Sequence, residues 1–158
     1  MRKRLIAVCL LAALLAAATA VFATDFAVIV NPVNATKAMA LADLGRIFRG
    51  KTAAWPNGHQ IILVLPDPNS QPMKFVIEKV MGVPLENGKA ALNEASRTKS
   101  GASIVFVSSD EEVIKLVAGS STAVGIIDVY NITSDVKVVK VDDKQPLDPG
   151  YVLKGRSQ

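Results

Sequence analysis

The residues best suited to binding chemistry lie in the segment Pro66-Asp67-Pro68-Asn69-Ser70-Gln71-Pro72. The segment follows an apolar run typical of a buried strand and precedes a helical pattern. Free backbone N–H groups and the positive end of a helix dipole favour an oxyanion at such a junction. We therefore predict an oxyanion site at Asp67, Asn69, Ser70 and Gln71, with Ser70 as the helix N-cap. The alternative is a well-formed helix start that binds no ligand. Pro72 has no backbone N–H, so the loop has one donor fewer for an anion.

Two further segments place polar side chains at strand ends. Asn31 begins the segment Asn31-Pro-Val-Asn-Ala-Thr36, which we expect to line the same edge of the crevice. The segment Gly119-Ser-Ser-Thr122 precedes a strand, and its hydroxyl groups add Ser120, Ser121 and Thr122 as candidate ligand-binding residues. Both segments are open to interpretation as ordinary turns, because Asn, Pro, Gly and Ser form turns for backbone reasons alone.

The chemistry-bearing residues argue against an enzyme. The only cysteine, Cys9, lies in the apolar N-terminal run, and the only histidine, His59, has no partner at metal-ligand spacing. Acidic residues stand mostly at helix starts or in turns such as Asp142-Asp143. We expect no catalytic residues, no metal and no cofactor, and interpret His59 as a solvated loop residue.

The N-terminus has the organisation of a secretory signal peptide. A basic start, Met1-Arg-Lys-Arg4, precedes an apolar run from Leu5 to Ala20, and Val21-Phe22-Ala23 suits cleavage. We predict a signal peptide over residues 1–23 and one domain over residues 24–158, located in the periplasm or secreted. A retained membrane anchor is the alternative, since the run of about 18 or 19 residues is near the lower limit for spanning.

Without that segment the chain is nearly neutral. It loses three of its 18 Lys and Arg residues, which leaves 15 against 14 Asp and Glu. With no basic cluster, we expect no nucleic-acid partner. It also contains no cysteine, so it must be held together by a hydrophobic core.

Strand and helix patterns alternate along the predicted domain. Apolar or alternating runs predict β-strands at Phe26–Val30, Ile61–Leu65, Ser103–Ser108, Ala123–Ile127 and Val136–Val141. Helical spacing predicts a helix through Leu41–Phe48 that stops near Gly50, then helices over Pro72–Met81, Leu85–Ser96 and Ser109–Gly119. This order predicts a three-layer α/β/α domain with a mixed, mostly parallel sheet. The alternating run at Val136–Val141 is expected to be an edge strand.

One stretch carries a family resemblance. The pattern Leu44-x-x-Ile47-Phe48-x-Gly50-Lys51, followed by Trp55-x-x-Gly58-x-x-Ile61, resembles the phosphate-binding substrate-binding proteins of bacterial ABC importers. Weaker matches occur along the rest of the chain in the same order as in the family, at Phe26–Asn31, Phe75, Glu111–Val117, Ala123–Ile126 and Pro149–Leu153. The resemblance covers nearly the whole predicted domain and implies one lobe of a type 2 periplasmic binding protein. We interpret Trp55 as filling the gap between a helix end and the sheet, with Gly58 allowing the turn.

The resemblance implies that the loop at Asp67–Gln71 binds phosphate or a similar oxyanion, with two departures. Family members carry an Arg, an Asp and a Ser-Gly-Thr run there; in this chain Asp67 and Ser70 match, while Gln71 and Pro72 replace Gly and Thr and no Arg is present. Members also have two lobes that close on the ligand, and this chain has room for one. Binding should therefore be weak, and a second lobe or a homodimer is needed to complete the pocket.

Two functions remain open. The first is an exported solute-binding domain for phosphate or a related oxyanion, with the membrane subunits of an ABC importer as partners. The second is an accessory or protein-interaction domain of the cell envelope that keeps the fold without tight ligand binding. The second function predicts an exposed apolar patch and no anion preference.

Overall fold

The computed structural model describes residues 24–98 and 101–155. The signal peptide predicted over residues 1–23 lies outside the described residues. Within them, no helix has both the length and the apolar character needed to cross a membrane.

A six-stranded mixed sheet forms the centre of the fold. Its strands are β1 (Phe26–Val30), β2 (Ala38–Met39), β3 (Ile62–Pro66), β4 (Ser103–Val107), β5 (Ala123–Asp128) and β6 (Lys137–Val141). They lie side by side in the order β2-β6-β1-β5-β3-β4. β3 pairs in parallel with β4 and β5, and β2 with β6, whereas β1 is antiparallel to both of its neighbours. The α/β fold class with a mixed, mostly parallel sheet is confirmed.

The helices also agree with the predicted pattern. They are α1 (Leu41–Phe48), α2 (Gln71–Phe75), α3 (Leu85–Arg97) and α4 (Asp110–Gly119). α2 continues directly into a π-helical segment, Val76–Met81, and a 3-10 turn, Val129–Asn131, follows β5. The wider π turn was not predicted, because it keeps the same residues buried as an α-helix would.

Alternating side chains divide the core between the two faces of the sheet. Val28 and Val30 point to the face covered by α1, α2, the π-helical segment and α3. Ala27 and Ile29 point to the opposite face, which α4 covers. Burial of each large apolar side chain contributes about 1.5–3 kcal/mol, so both faces stabilise the sheet and the three layers follow.

The structure corrects one strand prediction. β6 is not the edge strand, because the two-residue strand β2 lies outside it. The backbone N–H groups of Lys140 and Asp142 donate to the carbonyl oxygens of Lys37 (3.0 Å) and Met39 (3.1 Å). A strand of two residues is too short to show an alternating pattern, so only the tertiary pairing reveals it.

Trp55 has the packing role that the sequence predicts. Its side chain is 6% exposed and belongs to the main core. Its indole Nε1–H donates to the carbonyl oxygen of Thr122 at 2.8 Å. Gly58, with φ of +85°, closes the adjoining turn by donating its N–H to the Trp55 carbonyl oxygen at 2.8 Å.

The last part of the described chain is tied to the start of β1. The backbone N–H of Phe26 donates to the carbonyl oxygen of Leu153 at 3.0 Å, and the buried Tyr151 hydroxyl donates to that of Phe26 at 2.9 Å. Burial, together with the nearby negative charge of Asp25, raises the pKa of the Tyr151 phenol well above its ordinary value of 10.0.

We expect Tyr151 to make the fold sensitive to alkali. Because its pKa is raised on folding, its contribution is fully present below about pH 10 and is lost as pH rises towards the folded-state pKa. Tyr151→Phe should lower the free energy of unfolding by about 1 kcal/mol near neutral pH, since the hydrogen bond is lost. The same variant should show a smaller further loss above about pH 10 than the native protein.

Urea unfolding, followed by circular dichroism near neutral pH and above about pH 10, measures these effects. Tyr130→Phe is the control, because Tyr130 is 81% exposed. An alkaline loss of stability that is as large in Tyr151→Phe as in the native protein would contradict the assignment.

Candidate functional site

The predicted oxyanion loop lies at the carboxyl end of β3 and is ordered by its own hydrogen bonds. The Asp67 carboxylate accepts from the Asn69 N–H at 2.8 Å, and the Asp67 carbonyl oxygen accepts from the Ser70 N–H at 3.0 Å. Asp67, Asn69 and Gln71 are exposed, and Ser70 is half-buried. Three of the four predicted side chains of this loop are therefore accessible to a ligand.

Ser70 is the N-cap of α2, as predicted. Its hydroxyl accepts from the Met73 N–H at 3.2 Å and donates to the Asp67 carbonyl oxygen at 2.7 Å. The Lys74 N–H donates to the Ser70 carbonyl oxygen at 3.2 Å, and Pro72 has no N–H to offer. The groups that a bound oxyanion would use at this helix start are thus largely occupied by the fold itself.

A small pocket of about 270 Å³ opens beside this loop. Its walls come from the loop, α2, α3 and β4, and consist of Pro68, Asn69, Met73, Lys89, Leu92, Asn93 and Phe106. The half-buried Lys89 brings the cation that the loop itself lacks. Its ammonium group and the amides of Asn69 and Asn93 offer hydrogen-bond donors suited to an oxyanion.

Lys89 and Asn93 line this pocket but are not among the residues that the sequence predicts for the site. Both share a helix face with the buried Leu92, at the i, i+3 and i+4 positions. The spacing can be read from the predicted helix. The sequence does not show which strand end this helix lies against. Gly88 permits the close approach of α3, because a Cβ there would lie 2.2 Å from Ile77 Cγ2.

The carboxyl ends of the neighbouring strands are acidic. α4 begins after β4 with Asp110, Glu111 and Glu112 in its first turn. The Glu111 backbone N–H and the Ser109 hydroxyl hydrogen-bond to the Glu111 carboxylate and hold its pKa below the ordinary value of 4.5. Since these carboxylates already interact with the helix dipole, an added anion is disfavoured at the start of α4.

The other predicted site residues lie at the opposite edge of the sheet, which is the end where β3 and β5 begin. Val30 at the end of β1 pairs with Val124, near the start of β5, because the two strands are antiparallel. Asn31 and the turn at Ser120–Thr122 therefore lie together, away from Ser70. The expectation that the segment after Asn31 shares the edge of the oxyanion loop is wrong, because it assumed that β1 runs in the same direction as β3.

Asn31 has structural hydrogen bonds at this edge. Its side-chain amide donates to the carbonyl oxygens of Val117 (3.1 Å) and Ala118 (2.7 Å), and its side-chain oxygen accepts from the Val33 N–H. It is 8% exposed. These contacts connect the end of β1 to the last turn of α4.

A larger cavity of about 1040 Å³ lies at this second edge, and we call it the Trp55 groove. It is lined by residues 33–40, by part of α1, by the loop around Trp55 and by Ile61, Ser121 and Thr122. The exposed His59 lies on its rim. Ser120 is not part of the lining, but its hydroxyl lies 3.4 Å from that of Thr122. Within residues 24–98 and 101–155, no group of three or more His, Cys, Asp or Glu residues is arranged to hold a metal ion.

Comparisons with known proteins give matches of structure only. No protein-family model matches the chain, and no curated protein matches it. The fold is similar to that of a phosphate ABC transporter substrate-binding protein with bound phosphate from Clostridium perfringens, with 20% identity and a TM-score of 0.65. That match covers 84% of this chain and 53% of the other.

Two further solved structures give the same result. PstS from Borrelia burgdorferi is 16% identical, with a TM-score of 0.65 and coverage of 85% of this chain and 55% of the other. An ABC-type phosphate transport receptor from Vibrio cholerae is 20% identical, with a TM-score of 0.62 and coverage of 78% and 48%. The chain thus spans about half the length of these structures and has the α/β fold of one lobe of a periplasmic binding protein.

Ser70→Ala is expected to lower the free energy of unfolding by about 1 kcal/mol, because it leaves the Met73 N–H without its cap. Urea unfolding measures the change. Ser96→Ala is the matched control, since that exposed hydroxyl bonds only within its own helix, to the carbonyl oxygen of Asn93. Equal stability losses in the two variants would show that Ser70 contributes no more than an ordinary helix serine.

Proposed function

We propose that the chain is an exported, non-enzymatic solute-binding domain that binds phosphate or a similar oxyanion and serves an ABC importer. The site is the small pocket between the loop after β3 and α3. Lys89 supplies the charge, and the amides of Asn69 and Asn93 supply further donors. Its placement at the carboxyl end of a parallel strand is where open α/β sheets commonly bind ligands.

The half-buried Lys89, which lines the pocket beside the predicted loop, is the observation that carries the proposal. A partly buried cation interacts more strongly with an anion than one in open water does. Two of the matching solved structures, the phosphate transport receptor from Vibrio cholerae and the substrate-binding protein with bound phosphate from Clostridium perfringens, support the same ligand class.

The geometry also predicts modest affinity. A lysine offers a point charge rather than the paired donors of a guanidinium, and the capping bonds of Ser70 leave few backbone donors free. The pocket is also formed by one lobe alone. A second lobe, a second copy or an importer subunit must cover the bound anion to exclude water from it.

Phosphate should raise the melting temperature of the purified protein. At a hundredfold excess over its dissociation constant, a ligand adds about 2.7 kcal/mol of stability, which corresponds to a rise of several degrees. Lys89→Met should weaken phosphate binding by about tenfold or more, because one charge-assisted hydrogen bond is lost. Thermal shift assays and calorimetric titration measure both effects.

Lys79→Met is the matched control, since this exposed lysine lies outside the pocket lining. If phosphate, sulfate, molybdate and phosphonates all leave the melting temperature unchanged, the oxyanion function fails. A shift that survives in Lys89→Met would place the ligand elsewhere. The purified protein could bind phosphate while a strain that lacks the protein takes up phosphate at the normal rate. That result would separate oxyanion binding from service to an importer and favour the accessory role.

A further inference from the structure

The Trp55 groove is much larger than the pocket proposed above for the small anion. At about 1040 Å³ it has nearly four times the volume of the pocket beside Lys89, at about 270 Å³. It also lies at the opposite edge of the sheet, since Val30 and the start of β5 pair there. The groove is therefore a separate surface with room for a larger occupant.

The floor of the groove contains apolar side chains, and the polar side-chain groups beside them already have hydrogen-bond partners. Ile47, Trp55 and Ile61 line it and are almost fully buried. The Trp55 indole N–H is already bonded to Thr122, and both ends of the Asn34 amide are bonded, to Ser121 and Thr36. The polar side-chain groups of Trp55 and Asn34 are therefore already paired and are not offered to a ligand.

The walls of the groove carry an excess of positive charge. Lys37 and Arg46 are exposed there, against the single carboxylate of Asp43. This excess of one positive charge equals the net charge of the whole predicted domain, which has 15 Lys and Arg against 14 Asp and Glu. Charge complementarity therefore favours an acidic occupant.

One wall is the edge strand β2. The carbonyl oxygens of Lys37 and Met39 face β6, so the intervening Ala38 presents its N–H and C=O away from the sheet. Ala38 is exposed and lines the groove. An extended backbone placed beside it would gain one donor and one acceptor, as in the addition of a strand to a sheet edge.

We propose that the Trp55 groove binds an extended, acidic segment of a partner protein. The segment pairs with the backbone of Ala38, places apolar side chains on Ile47 and Trp55, and carries its carboxylates beside Lys37 and Arg46. This gives the chain a docking surface separate from the oxyanion pocket. The surface can be occupied whether or not the pocket is.

The sole tryptophan of the chain lies in the groove and reports its occupation directly. An array of short peptides of varied sequence should select binders enriched in Asp and Glu alternating with apolar residues. Titration of the strongest binder should change the fluorescence of Trp55. The affinity should fall as ionic strength rises from about 0.01 M to about 0.1 M, because the Debye length shortens from about 30 Å to about 10 Å.

Charge reversal provides the decisive comparison. Lys37→Glu combined with Arg46→Glu should weaken the selected peptide by at least about tenfold and shift the array towards Lys- and Arg-rich peptides. Lys74→Glu combined with Lys79→Glu makes the same change of charge outside the groove lining and should leave the affinity unchanged. Ala38→Pro removes an N–H that the sheet does not use, so it should weaken the peptide while the melting temperature is retained.

Several results would overturn the proposal. They are the absence of peptide binding, binders without acidic enrichment, and an affinity that is the same in both charge-reversal variants. Displacement of the peptide by phosphate alone would also overturn it, since the groove would then be an oxyanion site. Failure of phosphate to bind anywhere, with peptide binding intact, would remove only the proposed solute-binding function.

Discussion

β1 runs opposite to the other five strands of the described sheet, and its direction decides which loops can meet. The residues after β1 lie beside the residues before β5, and the residues before β1 lie beside the end of β5. All five residues of β1 are buried, because the strand lies between β5 and β6 and contributes to both faces of the core. A shift of one residue in its pairing would exchange the two faces.

Both ends of β1 are held by hydrogen bonds between residues far apart along the chain. Tyr151 bonds to the carbonyl oxygen of Phe26 at one end, and Asn31 bonds to the last turn of α4 at the other. Buried hydrogen bonds of this kind contribute modestly to stability when made, but breaking one is costly, since an unpaired buried polar group loses its solvation. They fix the direction and the register of the strand.

The two edges of the sheet therefore differ in chemistry. The edge at the carboxyl ends of β3, β4 and β5 carries many acidic residues, and its small pocket receives one cation, from Lys89 on α3. The opposite edge carries Lys37 and Arg46 above an apolar floor. At the first edge, the hydroxyl of Ser70 and the nearby backbone stabilise the helix start, so any affinity for an anion depends on side chains brought from elsewhere.

The sequence by itself determined the local elements and the α/β class. Helical and alternating spacing and the Ser70 cap depend on neighbours close along the chain, and the sequence alone predicts each of them. Tertiary structure alone decided the direction of β1, the two-residue strand β2 and the placement of Lys89 beside Asn69. These features arise from pairing and packing between distant segments, and no local spacing records which edge a strand joins or which loop a helix lies against.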